Sequence, residues 1–331
     1  MLFLPLVWYV WHLTPFSLVW QTVQNLSAGE LLVLFGINIF TVLLFTLRWQ
    51  ALIRSQGYRV SFTKLYFYRL AGFGYNYFSP GIQIAGEPLQ AGFLIKRENI
   101  PAAFATATLM ADKILEFGSK SVFLGIGVLF LINLNLLKSD LSPLTILLTI
   151  GLLALPFLTL GAYLRGKRPV TGLIKICLAG LKGRKRFSCI KSFVEQSEAE
   201  LIRLAQKGRK FLIGGFVFSL AGWLLFLLEF WLSLKFLNVN FYWSQGIALF
   251  TGSKMAFLIP VPAGMGALDA IMAWLFKIMG KPVATGLAVV LLIRVRDVLF
   301  GVLGIIAGGF ILTGNGKTRT VNKPRPDKRK I

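Results

Sequence analysis

Long apolar runs alternate with short polar stretches along most of the chain. Five runs approach or exceed the roughly 20 residues that cross the hydrocarbon core of a bilayer. These are residues 31–47, 121–137, 144–164, 211–234 and 283–312. Apolar residues make up 56% of the 331-residue chain, above the roughly 45–50% of soluble domains. The pattern predicts an all-α polytopic membrane protein with about eight membrane-embedded helices.

Polar and helix-breaking residues predict where several helices begin and end. Ser27 and Glu30 have the spacing of a capping box, which predicts a helix over 28–53. Residues 62–78 form a helical pattern that is too polar and too glycine-rich for a plain lipid-facing span. Pro80 and Gly81 should end that helix. A short helix over 87–97 would then complete a re-entrant hairpin.

A second stretch, residues 246–269, repeats this order of helix, proline break, glycines and carboxylate. The corresponding residues are Pro80, Gly81, Gly86 and Glu87 in the first break, and Pro260, Pro262, Gly264, Gly266 and Asp269 in the second. A long helix with charges of both signs follows each break. Two broken segments of this kind are compatible with an inverted repeat, in which both halves build a site near the membrane midplane.

The formal net charge is +23, and basic residues concentrate in 165–210 and in the C-terminal tail. Both stretches flank predicted membrane helices, so the positive-inside rule favours a cytosolic location and argues against nucleic-acid binding. Arg48 and Arg54 likewise place one helix end in the cytosol. We therefore expect one membrane domain, 1–314, in the cytoplasmic membrane, with a cytosolic loop at 165–210 and a cytosolic tail at 315–331.

Apolar positions between 190 and 205 recur at helical spacing within the basic loop. They predict an amphipathic helix that lies either on the membrane surface or on the protein's own cytosolic face. Glu198 and Glu200, in the same helix, are expected to be solvated. The first 13 residues are interpreted as a short retained membrane segment.

Ionisable residues in apolar surroundings point to a polar pocket, because a charge at the bilayer centre normally faces a cavity or a partner. The predicted pocket residues are Glu87, Asp112, Lys113, Glu116, Asp269 and Arg294; Glu229, Lys254, Arg296 and Asp297 have similar surroundings. Asp112 and Glu116 share a helix face, as do Arg294 and Asp297. Internal ion pairs that only fix helix packing are the alternative. Cations and helix N-termini in such a pocket would suit a phosphate.

The two breaks would also expose backbone to the pocket. Gly81, Gly86, Gly264 and Gly266 would allow a ligand to approach the main chain closely. Enzyme signatures are missing: His12 is the single histidine, and no nucleophile, Walker or Cys/His metal motif is present. We therefore expect no catalytic residues, metal or cofactor, and a protein that is not an enzyme.

Several segments together resemble the lysylphosphatidylglycerol synthase transmembrane-region family, also described as flippase-like integral membrane proteins. They are "LRWQALI" at 47–53, "PGIQIAGEPLQAGFLIKR" at 80–97, "MADKILEF" at 110–117, "IPVPAGMGALDA" at 259–270 and "LLIRVRD" at 291–297. The likeness extends over about 28–312. Gln90 replaces the arginine of the family pattern, Lys113 stands for an arginine, and Asp269 stands for a glutamate.

The resemblance implies a lipid translocator that moves a polar or anionic headgroup between leaflets. Its partner would be a membrane phospholipid or a polyprenyl or isoprenoid lipid, and a lipid-synthesis enzyme could associate with it. In relatives fused to an aminoacyltransferase domain, the membrane region is held to move aminoacylated phosphatidylglycerol. The basic tail leaves no room for that domain, so lysyl transfer is not expected of this chain. An accessory scaffold subunit and a lipid transferase related to phosphatidylglycerol lysyltransferases are the alternatives.

Overall fold

The structure, a computed structural model, describes residues 16–79, 85–134, 143–177, 185–259, 261 and 264–313. These residues form twelve α-helices and no strand, which confirms the all-α prediction. The helices are α1 (Phe16–Gln24), α2 (Ala28–Arg54), α3 (Phe62–Phe78), α4 (Gly86–Glu98), α5 (Ala102–Asn133), α6 (Pro143–Leu164), α7 (Pro169–Cys177), α8 (Lys185–Lys207), α9 (Arg209–Phe236), α10 (Trp243–Ala256), α11 (Ala267–Ile278) and α12 (Val283–Thr313). Some predictions concern residues outside this described part. They are those for 1–13 with His12, for Pro80, Gly81, Pro260 and Pro262, and for the tail 315–331.

Four of these helices are long and apolar enough to cross a membrane: α2, α5, α9 and the part of α6 from Ile146 to Leu164. The last of these has the most lipid-like exterior, with Leu147 and Leu152 both more than 60% exposed. Exposed leucines along a long apolar helix are stable in hydrocarbon and costly in water. The chain is an integral membrane protein, while the total of about eight embedded helices stays a prediction.

Helix ends follow the local sequence signals. The Ser27 hydroxyl accepts a hydrogen bond from the Glu30 amide, and the Glu30 carboxylate accepts one from the Ser27 amide at 2.8 Å, which forms the predicted capping box. Helix α3 occupies the predicted 62–78. Helix α4 ends where Asn99 adopts a left-handed conformation with φ of 52°, a conformation that asparagine tolerates better than most residues.

Helix lengths repeat along the chain. Helices α2 to α5 contain 27, 17, 13 and 32 residues, and α9 to α12 contain 28, 14, 12 and 31. Packing follows the same correspondence, because α2 lies on α9, α3 on α12 and α5 on α10. If α2, α3, α4 and α5 are exchanged with α9, α10, α11 and α12 in that order, the same set of packed pairs results. The helix order and packing are therefore compatible with the predicted inverted repeat, which stays a prediction.

A close helix contact joins α3 to α12 through small residues. A Cβ atom on Gly304 would lie 2.1 Å from the Leu70 carbonyl oxygen, and one on Gly74 would lie 2.5 Å from the Gly301 carbonyl oxygen. Small residues allow membrane helices to approach backbone to backbone, where dispersion contacts replace the missing hydrophobic drive. This contact holds the first half of the chain against the second.

The amphipathic helix of the basic loop, α8, packs on the protein with its C-terminal half. Leu201, Leu204 and Ala205 are buried in a cluster that also contains Leu115 of α5. Farther toward the N-terminus of α8, Phe193 remains exposed. Of the two expected positions for this helix, packing on the protein's own face is therefore the one observed for its second half.

Glu198 is buried, so the prediction that it is solvated is wrong. Its carboxylate accepts hydrogen bonds from the backbone amides of Val170 and Thr171 at 2.9 and 2.8 Å, and from the Tyr163 hydroxyl at 2.9 Å. These amides belong to the first turn of α7, which has no intrahelical partners for them. Glu198 thus caps α7 from a neighbouring helix, whereas Glu200 pairs with Arg203 at 2.9 Å near the surface.

Candidate functional site

A cavity of about 240 Å³ lies between α2, α3, α4, α5, α9, α10 and α12. Part of its wall is charged. The charged residues that line it are Arg69, Glu87, Asp112, Lys113, Glu116, Lys120, Lys254, Arg296 and Asp297. Four of the six predicted pocket residues, Glu87, Asp112, Lys113 and Glu116, are therefore placed together by the fold. Their role in binding a substrate stays a prediction.

Aromatic side chains form much of the remaining wall. They are Phe45, Phe73, Tyr77, Trp223, Phe226, Phe257 and Phe300. A cavity that combines a charged cluster with apolar and aromatic side chains has the character of a ligand site, in which a few polar groups fix orientation and the apolar wall supplies contact.

The centre of the charged cluster is Asp112 on α5. Arg48 donates to both of its oxygens, from Nε to Oδ1 at 2.7 Å and from Nη2 to Oδ2 at 2.8 Å. Arg69 donates to Oδ2 at 3.0 Å, and Arg48 also reaches Ser219 at 3.0 Å. Arg48 is fully buried and is therefore not an exposed charge at the helix end; the cytosolic location of that end stays a prediction. A buried guanidinium needs such a bidentate partner because its desolvation is costly.

Lys113 connects this cluster to the first broken segment. Its ammonium lies 2.8 Å from Glu87 Oε1 and 3.1 Å from Glu116 Oε2. Asn76 holds the segment in place, because its amide donates to Glu87 Oε1 at 3.3 Å and its carbonyl accepts from the Gly86 amide at 2.7 Å. The end of α3 and the start of α4 are thereby joined at the cavity wall.

Gly86 serves helix packing. A Cβ atom at this position would lie 2.1 Å from the carbonyl oxygen of Gly72 in α3. The close approach to the Gly86 backbone is therefore made by α3 of the same hairpin. The space beside its Cα on that side is occupied by protein, so a ligand cannot enter it. Gln90, one turn later in α4, is buried and lines the cavity.

A second ion-pair group comes from α9 and α12. Arg296 Nη1 donates to Glu229 Oε1 at 2.6 Å, and its Nε donates to Asp297 Oδ1 at 2.8 Å. Arg294 and Asp297, which are predicted to share a face of the helix, do not form an ion pair with each other. Asp297 pairs with its neighbour Arg296 because the side chain of Arg294 is held by another helix.

That other helix is α11. Arg294 donates to Asp269 Oδ2, and the same oxygen accepts from the Gly266 amide at 3.0 Å. Asp269 is fully buried at the first turn of α11, after a turn in which Gly264 and Gly266 have φ of 62° and 80°. Neither Asp269 nor Arg294 lines the cavity. The pair instead caps α11 and ties it to α12. A role for these two residues in substrate binding stays a prediction.

Two lysines in the cavity wall differ from the other cations. Among the described residues, no carboxylate lies within 4 Å of the ammonium of Lys120 or Lys254. Lys254 instead lies 4.7 Å from the ring centroid of Phe226 and 5.2 Å from that of Phe250, where cation–π attraction offsets part of its desolvation.

Sequence reasoning missed Lys120, Arg69 and the inward position of Arg48. Lys120 could have been found, since it follows Glu116 by four residues and so lies on the same face of α5. Arg48 and Arg69 carried no such local signal because their partner, Asp112, lies on another helix. In the part of the chain that the structure describes, no group of three or more His, Cys, Asp or Glu side chains could hold a metal.

Comparison with known proteins places these features in a family. The family model for the lysylphosphatidylglycerol synthase TM region matches residues 1–304. A UPF0104 membrane protein from Methanocaldococcus jannaschii is 26% identical over 92 residues, which are 28% of this chain and 27% of that protein. The aligned part is thus about a quarter of that relative's length. No solved structure matches.

Proposed function

The chain belongs to the lysylphosphatidylglycerol synthase transmembrane-region family, and from that premise we propose that it is a lipid translocator. A polar or anionic lipid headgroup enters the cavity between the two halves while its tails remain in the bilayer. The observation that carries this proposal is the cavity itself. Three of the helices that enclose it, α2, α5 and α9, are long and apolar enough to span a membrane, yet its wall contains nine charged residues.

Two features of the wall suit a lipid. The charges around Asp112 and Arg296 are ion-paired with protein partners, so they form a fixed polar lining. Lys120 and Lys254 have no carboxylate partner among the described residues and are available to a headgroup. The aromatic residues beside them supply apolar contact for the carbon atoms that join a headgroup to its tails.

The proposed location is the cytoplasmic membrane of a bacterium or archaeon, with α7, α8 and the tail in the cytosol. The basic residues of 165–210 and of the tail support this orientation through the positive-inside rule. A change in orientation of one half relative to the other would open the cavity to alternate leaflets, as in other repeats of this type.

The test measures headgroup movement in proteoliposomes. Purified protein is reconstituted with a fluorescent phosphatidylglycerol, and a membrane-impermeant quencher reports the exposure of inner-leaflet label. Lys254→Gln removes a cavity cation. Lys281→Gln is the matched control, because Lys281 also lies over an aromatic ring, 5.5 Å from the Phe241 centroid, but does not line the cavity.

We expect wild type and Lys281→Gln to expose label faster than empty liposomes, and Lys254→Gln to lose most of this rate. If wild type does not differ from empty liposomes with phosphatidylglycerol or with a polyprenyl phosphate, the translocator proposal is wrong. A lipid product formed by the purified protein in detergent, where no leaflets exist, would instead indicate a transferase.

A further inference from the structure

The charge balance of the cavity points to the charge of its occupant. The lining residues and their direct partners comprise six cations (Arg48, Arg69, Lys113, Lys120, Lys254 and Arg296) and five carboxylates (Glu87, Asp112, Glu116, Glu229 and Asp297). With every group in its ordinary ionised form, one positive charge is in excess. A net charge inside a membrane domain is costly unless something neutralises it.

The excess can be located within the cluster. Around Asp112, three cations (Arg48, Arg69 and Lys113) meet three carboxylates, so that group is neutral by itself. The group on α9 and α12 has two carboxylates for Arg296. Lys120 and Lys254 line the cavity and have no carboxylate within 4 Å among the described residues. Their two positive charges exceed the one negative charge left over at Arg296, so the surplus is carried by these two lysines.

Buried donors without an acceptor lie in the same wall. The indole N–H of Trp223 and the Nε–H of Arg69 are both buried and have no hydrogen-bond partner in the described part of the chain. Both residues line the cavity. Leaving a buried donor unsatisfied costs about 1–3 kcal/mol, so an occupant rich in acceptor oxygens would gain affinity by accepting from these two donors.

We propose that the cavity binds a lipid phosphodiester that carries a single net negative charge, with its phosphate between Lys120 and Lys254. This deepens, and rests on, the proposed translocator function by naming the class of lipid. A phosphodiester supplies one charge and several acceptor oxygens. A phosphomonoester or pyrophosphate would bring a second charge that the cluster does not balance. A lysine-bearing phosphatidylglycerol, with a net positive charge, would add to the excess.

The experiment is a calorimetric titration of the full chain in detergent with dihexanoyl lipids below their micelle concentration. Phosphatidylglycerol carries one negative charge, phosphatidylcholine none overall, phosphatidic acid between one and two, and lysylphosphatidylglycerol one positive charge. Glycerophosphoglycerol, the same diester without acyl chains, distinguishes a lipid site from a site for free phosphodiesters. Lys120→Gln and Lys254→Gln are compared with the control Lys281→Gln.

We expect phosphatidylglycerol to bind at least tenfold more tightly than phosphatidylcholine and lysylphosphatidylglycerol, and no more weakly than phosphatidic acid. Each cavity variant should reduce the affinity for phosphatidylglycerol at least tenfold, while Lys281→Gln should not. Phosphatidic acid binding tenfold more tightly than phosphatidylglycerol, or equal binding of all four lipids, would overturn the assignment. Tight binding of glycerophosphoglycerol would show that the occupant is a free diester rather than a lipid.

This result is independent of transport. Charge-selective binding that the two variants abolish, without translocation in liposomes, would refute the translocator and leave the phosphodiester site. Translocation that is equally fast for neutral, anionic and cationic headgroups would support the translocator function and refute the proposed phosphodiester site.

Discussion

Asp112→Asn should destabilise the protein more than any surface charge substitution. The change keeps the shape of the side chain and removes one negative charge. Asp112 is almost fully buried and accepts from both Arg48 and Arg69. After substitution, the fully buried Arg48 retains only Glu116 at 3.5 Å as an ionic partner, and Glu116 is shared with Lys113.

The magnitude follows from the burial of the pair. Removing one partner of a buried, hydrogen-bonded ion pair costs about 3–5 kcal/mol, because the remaining charge stays desolvated. The unfolding equilibrium constant should therefore rise by roughly two to four orders of magnitude. Arg203→Gln, at an exposed pair whose arginine side chain is 63% accessible, should change stability by less than about 1 kcal/mol.

The assay is denaturant unfolding in detergent micelles, followed by tryptophan fluorescence. The double variant Arg48→Met, Asp112→Asn removes one charge of each sign and restores the balance of the cluster, so it should recover at least half of the loss seen in the single variant. The reasoning is refuted if Asp112→Asn unfolds at the same denaturant concentration as Arg203→Gln, or if the double variant is less stable than the single one.

Three further predictions concern packing, capping and headgroup contact. Gly304→Ala should lower stability by about 1–3 kcal/mol, since its Cβ would meet backbone, whereas Gly309→Ala, with open space around it, should be neutral in the same unfolding assay. Glu198→Ala should cost about 1–3 kcal/mol by leaving the buried Thr171 amide and the part-buried Val170 amide unpaired and should accelerate limited proteolysis of 169–207, whereas Glu200→Ala should do neither. Glu87 Oε2 is buried without a partner among the described residues and could accept a hydrogen bond from a headgroup hydroxyl. Phosphatidylglycerol should therefore bind roughly tenfold more tightly than phosphatidylmethanol, which lacks that hydroxyl. Glu87→Ala should abolish the difference between the two lipids in calorimetry.

Local signals in the sequence were enough to predict most helix positions. The Ser27 capping box and the proline after α3 act within one turn of the chain, so their effects do not depend on distant contacts. The inward face of α5 was also predictable, because Asp112 and Glu116 are one turn apart. These features are encoded by neighbours in sequence, and the structure shows the capping box and the end of α3 at Phe78 as expected.

Partner choice was not predictable in the same way. Arg48 lies near the end of an apolar helix, which is where a cytosolic anchor would also lie, and only the packing of α2 against α5 and α9 shows that it is buried. Asp269 could pair with any cation nearby, and the turn before α11 decides that it caps that helix and holds Arg294. Long-range packing therefore determines which charges belong to the cavity.

The cavity is asymmetric in charge although the helices of the two halves correspond in length and packing. In the first half, the charges of α5 are balanced by arginines of α2 and α3 and by Glu87 of α4. In the second half, the corresponding α11 carboxylate, Asp269, is withdrawn to its own helix start and takes Arg294 with it. Lys254 on α10 and Lys120 on α5 then line the cavity without a carboxylate within 4 Å among the described residues. The proposed phosphodiester site follows from this difference between the two halves.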